Sequence, residues 1–201
     1  MKQILPILTL TTLTAAAFAD AGAAAPAAPA AAGLSYNRVG ISRSGQDTNL
    51  SVSGLLGSSN FLVSIETNSS LTGYNLLTSE GKNTGDAVSF SLGYVFKNLV
   101  AGVDATVSVG AGNNGVGSLV GVNFRRALNE VLSGLEVAVG YKQQESDPDV
   151  NVQLNGKASA WTYEVAYNIN KQFSVAYALT DFGSDANNIK NAHTVAVRYN
   201  Y

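Results

Sequence analysis

Cysteine is absent from the 201 residues, which excludes a disulfide framework and any thiolate metal site. Charge is scarce as well. Asp, Glu, Lys and Arg make up 13% of the chain and the net charge is -2, so the clustered Lys and Arg of a nucleic-acid surface are missing and no nucleic-acid partner is expected. Proline occurs four times and tryptophan once. No metal-ligand spacing, phosphate-cradling glycine loop or dinucleotide fingerprint occurs, so no cofactor is expected. Asp147, Asp149 and Asn151 alternate in one loop, but Pro148 interrupts them, and the glycine and distal glutamate of a calcium loop are lacking. From Leu34 onward no stretch carries a convincing apolar helical stripe.

What the chain does have is glycine, 20 residues of it, with nine Tyr and seven Phe, a profile of strands and turns. Its first segment, Met1 to Ala19, places Lys2 before an apolar run from Ile4 to Leu13 and ends in Ala17-Phe18-Ala19. That is the layout of a secretory signal peptide, with cleavage expected after Ala19; the apolar run is too short to span a bilayer as a helix. Residues 20–33, almost all Ala and Pro, cannot bury a useful surface and read as an extended linker. The folded part is expected over residues 34–201.

There the period is two. The first strand, Tyr36 to Ser42, sets Val39 and Ile41 against Arg38 and Gly40; the second sets Leu50, Val52, Gly54 and Leu56 against Asn49, Ser51 and Ser53. The third opposes Phe61, Val63 and Ile65 to Ser64 and Glu66. In the fourth, Val88, Phe90, Leu92, Tyr94 and Phe96 alternate with Ser89, Ser91, Gly93 and Val95. Leu99 opens the fifth, which runs to Val109 with Asp104 on its less apolar side, and the sixth carries Val120, Val122 and Phe124 opposite Asn123 and Arg125. The seventh sets Leu135, Val137, Val139 and Tyr141 against Glu136 and Lys142. The eighth sets Trp161, Tyr163, Val165, Tyr167 and Ile169 against Glu164 and Ala166, and the ninth Phe173, Val175, Tyr177 and Leu179 against Ser174 and Ala176. The tenth, His193 to Tyr201, presents Val195, Val197, Tyr199 and Tyr201 on one face and Arg198 on the other.

Connections alternate in character. Those after the second, fourth and eighth strands are tight, that after the sixth (Arg126 to Ser133) is moderate, and those after the odd strands are polar and generally longer, Thr67 to Gly85 and Gln143 to Gly156 above all. This suits an all-β, antiparallel up-and-down transmembrane barrel of about ten strands, or alternatively eight, with both chain ends on the short-turn side. Arg38, Glu66, Asp104, Arg125, Glu136, Lys142, Glu164 and Arg198 all fall on the less apolar face, and form the expected lumen charge network. Unpaired buried charge is costly, so mutual pairing is expected, with Arg125 and Glu136 near one rim. Aromatic residues cluster at the ends of the apolar face: Phe96, Phe124, Tyr167, Phe173, Tyr199 and Tyr201 toward the turns, Tyr141 and Trp161 toward the loops. Two such girdles suit the two interfaces of a bilayer, whereas a soluble sandwich or barrel has no reason to sort aromatics by height.

The last strand, with apolar residues at every second position and an aromatic end at Tyr201, resembles the terminal strand of bacterial outer-membrane β-barrels. The pattern over residues 34–201 resembles the small barrels of the outer-membrane-protein β-barrel, opacity-protein type. The resemblance implies residence in the outer membrane, contact with its lipid, and recognition of Val195, Val197, Tyr199 and Tyr201 by the barrel-assembly machinery. It implies a non-enzymatic structural or surface-interaction role with an extracellular ligand unidentified, alternatively a narrow porin-like channel for small solutes; the second alternative, from alternation alone, is a soluble secreted β-barrel or sandwich. Some outer-membrane barrels are enzymes with a rim histidine. Here the only histidine, His193, has Asp181 and Asp185 across a hairpin, but Val195 stands where the deacylases of that class carry serine, and no catalytic residue is assigned.

Overall fold

The computed structural model describes residues 34–44, 47–68, 87–112, 117–145, 157–181 and 191–201. The expected leader and linker, most of the longer loops, Asp185 and the Asp147–Asp149–Asn151 group lie outside the described residues.

Ten strands follow in chain order: β1 (Arg38–Ser44), β2 (Asp47–Leu55), β3 (Phe61–Asn68), β4 (Ala87–Val100), β5 (Val103–Gly112), β6 (Gly117–Ala127), β7 (Leu135–Glu145), β8 (Lys157–Asn168), β9 (Phe173–Asp181) and β10 (Ala192–Asn200). Each is antiparallel to its chain neighbour, and β1 closes on β10 through Arg38 opposite Asn200 and Ile41 opposite Val197. The result is one closed up-and-down barrel of ten strands, not eight, in which every strand is paired on both sides and no backbone edge is left open.

The period-2 pattern decides which side chains face out. Val39, Leu50, Val52, Ile65, Phe90, Leu92, Val107, Val109, Val120, Val165 and Val195 are exposed on the exterior, while the alternate positions turn into the barrel. The buried interior side chains are mostly small: Ala160, Ala166, Ala176, Ala178, Ala192 and Ala196 on β8–β10. A water-soluble barrel would place its apolar residues the other way round. An exterior of exposed Val, Leu, Ile and Phe over a polar interior is the surface a bilayer stabilises.

Three boundaries differ from those read off the sequence. β1 begins at Arg38, not Tyr36, and runs to Ser44, so only positions 45 and 46 separate it from β2; the first connection is not long. Only positions 113–116 separate β5 from β6, whereas residues 128–134 on the opposite rim form a wider turn, closed by Leu132 N–H donating to the Leu128 carbonyl at 3.0 Å. β4 continues through Lys97 and Asn98 to Val100, so Leu99 belongs to β4 and the reversal falls at Ala101–Gly102. The register between β4 and β5 shifts between Phe96 and Val100. Local side-chain bonds explain the shift. Asn98 has a positive φ of 51°, which Asn tolerates better than most residues. Its Oδ1 accepts from Gly102 N–H at 3.0 Å, and its own N–H donates to Asp104 Oδ1 at 2.7 Å. Gly102, at φ 77°, completes the reversal.

Candidate functional site

Among the described residues, the interior gathers most of the ion pairs. At the rim where β1 begins and β10 ends, residues 34–37 do not continue β1 but cross into the barrel mouth. Tyr36 is buried there, and its Oη donates to Asp104 Oδ2 on β5 at 2.6 Å. The Arg125 guanidinium of β6 lies 5.0 Å from the Tyr36 ring centroid, and Nη1 donates to the Ser35 carbonyl at 3.1 Å. On the other side Ser53 Oγ donates to the Tyr36 carbonyl at 2.8 Å, and Leu55 N–H donates to Asn37 Oδ1 at 2.9 Å. The segment is thus held by β2, β5 and β6 and forms a floor. Burial and the Asp104 carboxylate raise the Tyr36 pKa above its ordinary value, which keeps the phenol a neutral donor.

Just inside this floor, Glu136 of β7 gathers two arginines. Its Oε2 accepts from Arg125 Nη2 at 2.9 Å and Arg38 Nη2 at 3.1 Å, and its Oε1 from Asn168 Nδ2 at 2.8 Å. The Glu136 side chain is 5% exposed, so every bond counts toward offsetting its lost hydration. Farther in, Arg198 of β10 reaches across β9 to Glu164 of β8 in a two-pronged pair at 2.6 and 2.5 Å. Small side chains make that reach possible. Opposite Arg198 stands Gly40, where an added Cβ would lie 3.4 Å from Arg198 Cγ and 2.9 Å from Ser51 Oγ, and Ala166, Ala176 and Ala196 pack as one cluster on β8–β10. Toward the loop end, Lys142 Nζ of β7 stands 3.7 Å from Glu66 Oε2 of β3, with both side chains about half exposed.

Two cavities stack along the lumen, of about 450 and 350 Å³. The first rests on Tyr36, Arg38 and Arg125 and is walled by Ser51, Ser53, Ser64, Ser89, Ser91 and Ser108. The second rises along Ser42, Asn49, Gln144, Thr180 and Thr194, with an alanine wall from β8–β10. Ser51, Glu66, Ser89, Lys142, Thr162, Glu164 and Arg198 border both, so the two cavities adjoin within the lumen.

All eight residues of the expected charge network therefore lie inside, and the structure divides them into two deep groups and one open bridge. Sequence reasoning missed Tyr36, assigned to a strand, and Asn168, whose amide completes the Glu136 site. Tyr36 acts on β5, distant in the chain, and left no pairing signal; Asn168 lies on β8, next to β7, two residues beyond the Ala166 that pairs with Glu136, so alternation alone put it on the same inward face. On the exterior, Tyr141 and Trp161 have ring centroids 5.0 Å apart and Phe173 and Tyr199 5.3 Å apart, at opposite rims. Phe96 stacks edge-on with Tyr94, and Tyr94 with Phe61, two rings that the sequence reading left out of the girdle. Val195, Tyr199 and Tyr201 are exposed on the exterior, and Tyr201 Oη donates to the Ser53 carbonyl at 3.2 Å. His193 also faces outward, with Nδ1 2.6 Å from Tyr177 Oη, so it is remote from the lumen.

No protein-family model matches the chain, the opacity type included, and no curated protein matches it. Among solved structures it is similar to NanC porin, at 14% identity and a TM-score of 0.49, over 82% of this chain and 98% of that one. It is similar also to KdgM porin, solved in complex with disordered oligogalacturonate, at 14% identity and a TM-score of 0.46, over 84% of this chain and 99% of that one.

Proposed function

We propose that the chain is an outer-membrane barrel that passes small polar solutes, and that residues 34–37 close its inner mouth in the state described here. The observation that carries this reading is the pair of polar chambers adjoining within the lumen. A barrel serving only as a surface scaffold gains nothing from a hydrophilic interior of that volume, and an apolar core of the same size would stabilise it more. The structural and surface-interaction role expected from the sequence rests on long loops outside the described residues, so the lumen takes precedence over it.

In this reading both chain ends face the periplasm and the Lys142–Glu66 level lies nearer the environment. The aromatic rings at the two rims meet the lipid interfaces. Val195, Val197, Tyr199 and Tyr201 offer the assembly machinery an apolar, aromatic-ended strand. Export through a cleaved leader ending at Ala19 belongs to the same reading.

Single-channel recording of the folded protein in planar bilayers tests it, with heat-modifiable gel migration as the control for folding. Wild type is expected to give small, infrequent steps. Tyr36→Ala removes the ring under Arg125 and the bond to Asp104, and is expected to raise mean conductance severalfold. Absence of steps from both folded proteins refutes the passage. Equal conductance in the two leaves the passage standing and refutes the floor.

A further inference from the structure

We propose that the bridge between Lys142 and Glu66 is a selectivity site for small zwitterions, solutes that carry an ammonium and a carboxylate a few bonds apart. The inference rests on the passage proposed above and names what that passage prefers.

The lumen charges are not equivalent. Glu136 is held by two arginines and an amide, Glu164 by a two-pronged guanidinium, and Asp104 by a phenol and a backbone N–H. Replacing any of these partners would strand a buried charge. The Lys142–Glu66 contact is different: a single contact at 3.7 Å, with side chains 45% and 57% exposed. Its two ends come from β7 and β3, far apart around the barrel, so the bridge spans the lumen rather than lying along one wall. Both chambers touch it, and a solute moving between them has to pass it.

The neighbours are polar as well. Gln144 lies two residues beyond Lys142 on the same inward face, and its buried Nε2 donor has no protein partner; Asn49 lies two residues from Ser51, which pairs with Glu66, and its buried Oδ1 acceptor also has none. Lys142 and Gln144 on β7 thus face Glu66 and Asn49 on β3 and β2 across the upper chamber. Ser51 and Ser89, opposite Glu66 on its two neighbouring strands, add hydroxyls to the Glu66 side. A lone anion at Lys142 would leave Glu66 unpaired and facing it, and a lone cation at Glu66 would do the same to Lys142. A zwitterion aligned across the lumen replaces both ends at once, carboxylate to Lys142 and ammonium to Glu66, and leaves no charge uncompensated.

Three solutes built on one three-carbon skeleton provide the test: serine (zwitterion), glycerate (anion) and serinol (cation). Their release from proteoliposomes is measured for wild type, the Tyr36→Ala protein, and each of these carrying Glu66→Gln with Lys142→Met. Serine is expected to leave about fivefold faster than either singly charged solute, the ratio a half-solvated ion pair supports. The preference is expected to vanish in the neutral pair. Exchanging the charges, Glu66→Lys with Lys142→Glu, should retain it, since the bridge still offers both signs. Equal release of the three solutes by a conducting wild-type or Tyr36→Ala barrel, or a serine preference that survives the neutral pair, overturns the zwitterion site while the passage stands. Proteins that fold but neither conduct nor release any solute overturn the passage, and the site with it.

Discussion

Arginine in place of Val165 lowers the free energy of unfolding by about 2–4 kcal/mol, the cost of a guanidinium on the lipid face near the midplane of a barrel. Val165 is 51% exposed on the exterior, between Val137 of β7 and Tyr177 of β9, with apolar or aromatic neighbours on both sides. The next residue, Ala166, points inward, 3% exposed and packed with Ala176 and Ala196. Ala166→Arg therefore fails for a different reason. It overfills the small-residue floor along which Arg198 reaches Glu164, and it brings a further cation to a lumen already occupied by Arg38, Arg125 and Arg198. Denaturant unfolding in lipid vesicles separates the two causes. The cost at Val165 depends on bilayer thickness and is relieved by Val165→Leu, whereas the cost at Ala166 is indifferent to the lipid. Mild and equal effects of the two arginines would contradict the assignment of faces.

The second large effect belongs to Glu136. Glu136→Gln keeps an acceptor for Asn168 but removes the negative charge that Arg38 and Arg125 share, leaving two guanidinium groups, 12% and 11% exposed, beside each other. Breaking a buried charge pair by deleting one partner costs about 3–5 kcal/mol, mostly the desolvation of the charge left behind. Unfolding free energy is expected to fall by that amount, and the companion change Arg38→Met should recover a large part of it by removing one stranded cation. A Glu136→Gln protein as stable as wild type would show that water in the lower chamber hydrates these groups as well as the carboxylate does.

Alternation made most of the barrel legible. Because successive side chains in a strand point to opposite faces, the sequence alone places Glu164 inside and Val165 outside, and the structure sets both so. The turn after β4 was misplaced because Leu99 and Val100 look like the start of a new apolar strand. What ends β4 is a pair of side-chain bonds from Asn98 and Asp104 that leaves no mark on the hydrophobic pattern. Loop lengths misled in the same way at positions 45–46, where polar Arg43 and Ser44 still belong to a strand whose outward face meets the barrel rim. Which charge meets which was beyond the pattern except for Arg125 and Glu136, neighbours across one hairpin. Arg38 with Glu136, Tyr36 with Asp104 and Glu66 with Lys142 join strands that only barrel closure brings within reach.

The seam between β1 and β10 has a kinetic consequence. It joins Arg38 to Asn200 across nearly the whole folded chain, through the shortest ladder in the sheet, Arg38 to Arg43 against Asn200 to Val195. Pairing of ends so distant in sequence comes late in folding, after the intervening hairpins have shortened the loop to be closed. Beyond that ladder, Arg38 of β1 is tied across the lumen to Glu136 of β7, on the other side of the seam. To part the seam, the Arg38 guanidinium has to leave Glu136 before water can replace it, whereas the Arg198–Glu164 pair lies wholly on the β10 side and stays intact. That raises the barrier to opening more than it deepens the folded state. The Arg38–Glu136 pair therefore acts as a latch on the timescale of unfolding, and the barrel, once shut, stays shut longer than its shortest ladder alone would hold it.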